Sequence, residues 1–466
     1  MTAVAQSGRM TMRWEQFLFV MLFAGVCSLF TGWAMPGLPL STFDTIAFLV
    51  LPILTAAALM NRKLPNSNGF LLVALFMALN AALAFKLGFG NGVRETIQAS
   101  LLVLFAGIIA LYREQLDWKR MARWFILVAA IVTAYNIYWH VSNGFMVGWK
   151  RLNEPKLLFS FAPLAIFALL LMRRKATTGA YALLAGLFIL LVLSGERKAQ
   201  LAFLIHMMIL CLVGYTRLWV YVVGAIAAIP LLTAIILADP YLIQQFNSIS
   251  EMGQETNYTL SEMLDPRSGV TQSNGQRFFA LQVSAGLIQE YPIFGIGTNG
   301  YEPFVNSFYP DLPPHFLLSI HNEFQRILVE NGAVGLAIYL IPWVRSIFMA
   351  PAIAKEMGPR ALGLYGMFFT VFFLQCFFES SGTTAYLSFI FMALLPELFL
   401  SARSVRPRAR GYDPSFGLVA KYAARTNPAK SGEVYSRSIA PAASHMVFRS
   451  VHNASLPGPA PDRRSS

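Results

Sequence analysis

Long apolar runs, each ended by charges or turn residues, recur from one end of the chain almost to the other. A bilayer-spanning helix needs about 20 mostly apolar residues. Segmenting on that length predicts twelve such helices: Gln16 to Met35, Phe43 to Met60, Gly69 to Leu87, Thr96 to Tyr112, Trp124 to Val141, Leu157 to Met172, Gly179 to Ser194, Ala199 to Gly214, Leu218 to Leu237, Ile327 to Met349, Ala361 to Phe378 and Thr383 to Leu400. The pattern is that of an all-α polytopic membrane protein. The first run lacks a small-residue cleavage site and is long enough to span, so it reads as a transmembrane helix rather than a cleaved signal.

Lys and Arg in short loops set the expected orientation. With the N-terminus inside, Arg62 and Lys63, the cluster from Arg113 to Arg123, Arg173 to Lys175, Arg217, Arg345, Lys355 and Arg360 all face the cytoplasm. The other side receives only Lys86, Arg94, Lys150, Arg151, Lys156, Arg197 and Lys198 from its short loops. Both termini are then cytoplasmic. The long connection from Ala238 to Arg326 falls outside the cytoplasm, and loops of that length commonly carry function. It holds a helix-compatible stretch from Gln276 to Glu290 and turns at Tyr291-Pro292 and Gly295-Ile-Gly297, which suggest a small folded cap. The expected organisation is nine helices over 1–237, a large periplasmic loop over 238–326, three helices over 327–401 and a tail over 402–466.

Composition agrees with this division. Of 466 residues, 56% are hydrophobic and 13% charged, against roughly 25% charged in soluble proteins. The formal net charge of +13 would suggest nucleic acid, but the segment from Arg403 to Ser466 alone carries eleven Lys and Arg against three Asp and Glu. The excess therefore sits in a Ser-, Pro-, Ala- and Arg-rich tail without apolar periodicity. Such a tail reads as solvated, or as attracted to anionic membrane lipids, and no nucleic-acid partner is expected.

The three cysteines, Cys27, Cys211 and Cys376, lie singly in apolar runs without metal-ligand or disulfide spacing. No GxxxxGK[ST], HExxH or GxSxG motif occurs, which leaves ATP-driven transport, metalloprotease and hydrolase chemistry unsupported. No cofactor and no metal site are expected.

Ionisable groups at membrane depth or at its edge are the remaining candidates, because they are costly there and usually paired or functional. The turn Ser194-Gly-Glu196-Arg197-Lys198-Ala199 offers in Arg197 a fork that fits phosphate, or is a solvated turn in which Glu196 neutralises a base. Arg277 opens an amphipathic helix and is a phosphate ligand, a surface residue or half of a helix-end ion pair. Where the loop re-enters the membrane, His321 precedes Asn322, Glu323, Arg326 and Glu330. The last three share one helix face and read as a self-paired scaffold. Gly332 and Gly335 suggest close helix approach. His321 titrates near neutrality and suits a base or proton relay; His315, in Pro313-Pro314-His315, is a weaker candidate.

Taken together, these segments resemble the bacterial O-antigen ligase and O-antigen or exopolysaccharide polymerase superfamily. The run from Gln276-Arg277 through Glu290-Tyr-Pro-Ile-Phe-Gly-Ile-Gly is similar to its arginine-led helix and turn. His321-Asn322 through Leu328, Glu330, Gly332 and Gly335 is similar to its histidine helix, and Ser194 to Ala199 to its arginine turn, with Glu196 where serine is commoner. The resemblance implies a GT-C-like inner-membrane glycosyltransferase. Its donor would be a polyprenyl-diphosphate-linked glycan, and its acceptor lipid A-core (ligase) or a growing polysaccharide (polymerase of O-antigen, exopolysaccharide or capsule). His321, Arg277 and Arg197 would be catalytic, with Arg197, Arg277, Asn322 and His315 binding substrate and no metal taking part. A transporter or lipid flippase would show two related halves with interrupted helices, and no internal repeat is evident.

The charge asymmetry gives a direct test of orientation. A single cysteine at Asn257 should react with an impermeant thiol reagent in intact cells, and cysteines at Arg62 and Arg174 should react only after lysis. Labelling of Asn257 only after lysis would reverse the orientation.

Overall fold

The computed structural model describes residues 17–18, 20–27, 42–60, 65, 67–113, 118–142, 156–171, 177–194, 196–215, 233, 272–311, 320–378 and 382–401. All regular structure among them is helical: α1 (Thr42–Met60), α2 (Asn68–Ala84), α3 (Phe89–Tyr112), α4 (Trp118–Ser142), α5 (Lys156–Leu171), α6 (Thr178–Ser194), α7 (Arg197–Leu212), α8 (Gln272–Glu290), α9 (Tyr301–Phe308), α10 (Glu323–Met357), α11 (Pro359–Phe378) and α12 (Gly382–Ser401). A 3₁₀ turn, Phe85–Leu87, follows α2. Among the described residues, five stretches are long and apolar enough to cross a bilayer: Phe43–Met60, Asn68–Leu87, Phe89–Tyr112, Glu323–Met357 and Pro359–Phe378. The chain is a helical multi-pass membrane protein. The predicted span Leu218 to Leu237 apart from Thr233, part of Gln16 to Met35, all of 238–271, His315 and the 402–466 tail lie outside the described residues.

The helices begin and end close to where the apolar runs do, with three exceptions, the first being α4, which starts at Trp118, six residues before Trp124. Helix α3 starts at Phe89, well before Thr96: Asn91, Arg94 and Glu95 interrupt the apolar residues Phe89 and Val93 in its first turns and hide the helix from a run-length reading. Helix α10 starts at Glu323 and runs to Met357, and it is two helices joined at Gly332.

Helix α10 is central: it packs against α2, α8, α9, α11 and α12. Around it lies one continuous apolar core that includes Phe76, Tyr339, Trp343 and Phe389. Phe76 and Phe389 lie 4.4 Å apart, and Tyr339 stacks on Phe389 at 5.2 Å. Helix α11 joins the α10 group to α5 and α7. Buried His206 on α7 hydrogen-bonds the Met367 carbonyl at 3.1 Å, and a side chain on Gly363 would press into Val213.

Polar groups tie the bundle at two ends. At one, the Glu397 carboxylate accepts from Ser67 Oγ, from the Gly69 N–H at 3.0 Å and from Arg345 at 2.7 Å, with Arg113 at 3.5 Å. These residues lie at the start of α2, the end of α3, and the corresponding stretches of α10 and α12. The other end of the same helices holds Asn80, Lys86, Glu95, Glu323 and Tyr386. On α2 alone the two ends are about 25 Å apart, from 17 residues at 1.5 Å rise each.

The break in α10 is held open from outside. Gly332 has φ 68° and ψ −169°, a region open essentially only to glycine. In an unbroken helix the N–H groups of Ala333 and Val334 would donate to Val329 and Glu330. Instead they donate to the carbonyls of Pro292 at 2.8 Å and Ile293 at 3.2 Å, while Val329 and Glu330 accept from the N–H groups of Ile296 at 3.0 Å and Gly297 at 2.9 Å. The 291–300 turn thus replaces two lost helical bonds with four. The approach is so close that a Cβ on Gly332 would collide with the Ile293 carbonyl, and one on Gly295 with the Glu330 carbonyl. Gly332 therefore serves a turn-to-helix contact rather than the helix-to-helix contact its spacing suggests, and Gly335 faces Asn331 of its own helix.

Gly332→Ala should lower stability by roughly 1–3 kcal/mol from the backbone conformation alone, with the collision adding to it. Gly286, on α8 with nothing within 4 Å of where a methyl group would stand, is the control: Gly286→Ala should be neutral or slightly stabilising. Thermal unfolding of the two purified variants in detergent checks the difference in sign.

Candidate functional site

The site end of the bundle is built around the break. On the first segment of α10, Arg326 is gripped by Glu323 through two bonds, 2.6 Å and 3.0 Å, and by Glu330 at 2.9 Å. All three are nearly inaccessible, and the guanidinium also lies 5.7 Å from the Tyr386 ring. Removing one member of such a buried set would strand the others, at a cost of about 3–5 kcal/mol. Glu330 reaches further: the backbone N–H groups of Asn299 and Tyr301 donate to it, so it fixes the start of α9. The expected scaffold role of Glu323, Arg326 and Glu330 matches this geometry.

A second layer locks the turn to α2 and α3. Asn331 donates to Thr298 Oγ1 at 2.8 Å and to Asn80 Oδ1 at 3.3 Å, and the Tyr386 hydroxyl donates to the same Asn80 oxygen at 3.4 Å. Asn299, at φ 59°, donates to Glu95 at 2.6 Å. Lys86 donates to the Gly295 carbonyl at 3.0 Å. Sequence reasoning missed Asn80, Lys86, Glu95, Thr298, Asn299 and Asn331. Asn80, a lone amide in an apolar run, was the one visible signal, since polar groups at membrane depth usually have a partner.

The candidate residues stand around this joint. Arg277 is on the second turn of α8, half-buried, with Phe278 and Phe279 beside it in a small apolar cluster that also includes Leu287, Tyr301, Val305, Ile320 and Val329. Ile320 directly precedes His321, so Arg277 and His321 are carried by one packing unit. His321 is half-buried, and Asn322 caps α10, its Oδ1 accepting from the Gln325 N–H at 3.1 Å. The cap engages one lone pair of the carboxamide oxygen and leaves the NH₂ group outside the cap bond.

Arg197 begins α7, close behind α6, and Gln200 staples the two by donating to the Leu191 carbonyl at 3.1 Å. In the Ser194 to Ala199 turn Glu196 does neutralise a base, pairing with Lys198 at 3.6 Å, but both are buried rather than solvated. Arg277 and Arg197 are brought within electrostatic reach despite their separation in sequence. Burial foremost, and then the Arg197 charge, push the Arg277 guanidinium below its ordinary pKa, while Glu196 opposes them. Arginine remains charged at neutral pH regardless, so two like charges are held near each other in a half-buried setting. An anion with two charges would relieve that arrangement. His315, the remaining candidate, lies outside the described residues.

A comparison with curated proteins finds no match. Residues 180–340 match the family model described as O-antigen ligase. The matched segment contains Arg197, Arg277, His321 and both sides of the Gly332 break. The match supports the resemblance of this chain to the O-antigen ligase and polymerase superfamily, and with it an O-antigen ligase- or polymerase-type membrane glycosyltransferase.

Proposed function

We propose that the chain moves a glycan from a polyprenyl-diphosphate carrier to lipid A-core on the periplasmic side of the inner membrane, as an O-antigen ligase. In this reading twelve helices cross the membrane, both termini are cytoplasmic, and the end of the bundle bearing Glu95 and Glu323 faces the periplasm. The observations that support the reading are the Arg197 charge felt at Arg277 and the apolar cluster that packs Phe278 and Phe279, next to Arg277, against Ile320, the residue before His321.

The chemistry follows from charge. The acceptor hydroxyl attacks the anomeric carbon of the donor; its oxygen forms the new glycosidic bond, and its proton passes to the His321 imidazole. The bond between that carbon and the diphosphate oxygen breaks, and the diphosphate leaves with the electron pair. Negative charge therefore grows on the leaving group, where the Arg197 and Arg277 guanidinium groups stabilise it. These arginines, rather than a divalent cation, supply the counter-charge. Among the described carboxylates at this end, Glu323 and Glu330 hold Arg326, Glu95 accepts from Asn299 and Glu196 pairs with Lys198.

Alanine at Arg197 or Arg277 should lower transfer by roughly 100 to 1,000-fold, as loss of a preorganised donor to a developing charge commonly does. Lysine should restore little, because it lacks the planar fork. His321→Ala should lower turnover while leaving donor binding intact. The measurement is made on purified variants with lipid-linked donor and either lipid A-core or a second donor molecule as acceptor, with binding and product followed separately. Product with a second donor alone would assign polymerisation. Near-normal product from His321→Ala would reduce the histidine to a residue preceding the helix cap.

A further inference from the structure

The 291–300 turn closes the break in α10 with its backbone, while the side chains of its first four residues face outward. Tyr291, Pro292, Ile293 and Phe294 are exposed in succession, Ile293 at 59% and Phe294 at 49%. A four-residue apolar tip is unusual on a water-facing loop. Its surroundings supply a reason. Lys86 donates to the Phe294 and Gly295 carbonyls and sits 5.9 Å from the Phe294 ring. On either side of Lys86 in the chain are Phe85, 45% exposed, and Phe89, 78% exposed, with ring centroids 6.2 Å apart. Phe89 begins a stripe on α3 that continues through Val93 and Ile97 at four-residue spacing, all of them exposed on one face of a candidate span. The apolar tip is therefore continuous, through Lys86, with the face that α3 turns to lipid. Aromatic rings beside a lysine amine at a helix end are what a membrane-water interface selects.

We propose that the Tyr291–Phe294 tip is an anchor seated in the outer leaflet of the bilayer, so that part of the large extramembrane loop is membrane-embedded. The consequence is positional. The tip is bonded through its backbone to both halves of α10, and α8 ends directly at it, with the Tyr291 N–H donating to the Leu287 carbonyl at 2.8 Å. Bilayer contact at the tip then fixes the height of Arg277 and of the α10 start above the acyl chains, which is where the headgroup of a lipid-linked substrate lies. The inference rests on the membrane reading of the fold and on neither donor nor acceptor.

The test uses the full chain in phospholipid nanodiscs, with a nitroxide on Ile293→Cys and collision rates measured for oxygen, which partitions into the bilayer, and for a water-soluble nickel chelate. Ile97→Cys on the α3 stripe is the lipid reference and Glu302→Cys on α9 the aqueous one; signal from the native cysteines is subtracted using the labelled parent. The oxygen-to-nickel ratio at Ile293 should match that at Ile97. A ratio like that at Glu302 would place the tip in water, and low collision with both probes would place it under protein; either result overturns the anchor. Because the readout is a collision rate, it is unaffected by whether the glycosyl-transfer reading holds.

Discussion

Everything at the site end depends on one requirement: a helix opened inside a membrane protein must find new partners for its backbone. An unpaired N–H or C=O away from water is expensive, and non-helical backbone at membrane depth survives only where protein covers it. Gly332 opens α10, and the turn after α8 supplies the missing donors and acceptors one for one, from Pro292, Ile293, Ile296 and Gly297. A segment nearly forty residues away in the chain thereby becomes part of the α10 backbone. Because α8 leads into that turn and His321 stands at the start of α10, the arginine helix and the histidine are built on one joint.

The side chains around the joint then serve two separate tasks. Arg326 with Glu323 and Glu330 is a closed set, each charge met by its opposite inside the protein, and Glu330 uses its remaining capacity on the backbone of α9. Arg197 and Arg277 differ: two like charges lie within electrostatic reach of one another, and Glu196, which also pairs with Lys198, acts against their repulsion. A closed set gives rigidity. A pair of like charges gives a place where an incoming diphosphate lowers the energy. The same contrast explains why three conspicuous charges on α10 do not make a catalytic centre, whereas two less conspicuous ones on α7 and α8 do so in the proposed reaction.

Much of this was legible in the sequence. Apolar runs located the helices because lipid demands them at nearly full length, and the i, i+3, i+7 spacing of Glu323, Arg326 and Glu330 announced their pairing. The early start of α3 was hidden because Arg94 and Glu95 look like loop residues until Asn299 is seen to need one of them. The break at Gly332 was hidden for a related reason. A glycine within an apolar run reads as a packing contact, and its partner, the Ile293 carbonyl, is supplied by a distant turn that no local pattern connects to it. The closeness of Arg197 to Arg277 is likewise tertiary: residue type and the family resemblance pointed to each arginine, but no local pattern connected the two.

At the centre of the proposed mechanism is a diphosphate received where α7 and α8 bring their arginines together, beside the start of α10. An experimental structure of the protein with a bound polyprenyl diphosphate tests this most directly. Phosphate oxygens are expected within hydrogen-bond reach, about 2.7–3.2 Å, of the Arg197 and Arg277 guanidinium groups, with His321 at the same end of the bundle. Phosphates resting out of reach of both arginines, or at the Glu397 end with Arg113 and Arg345, would contradict it.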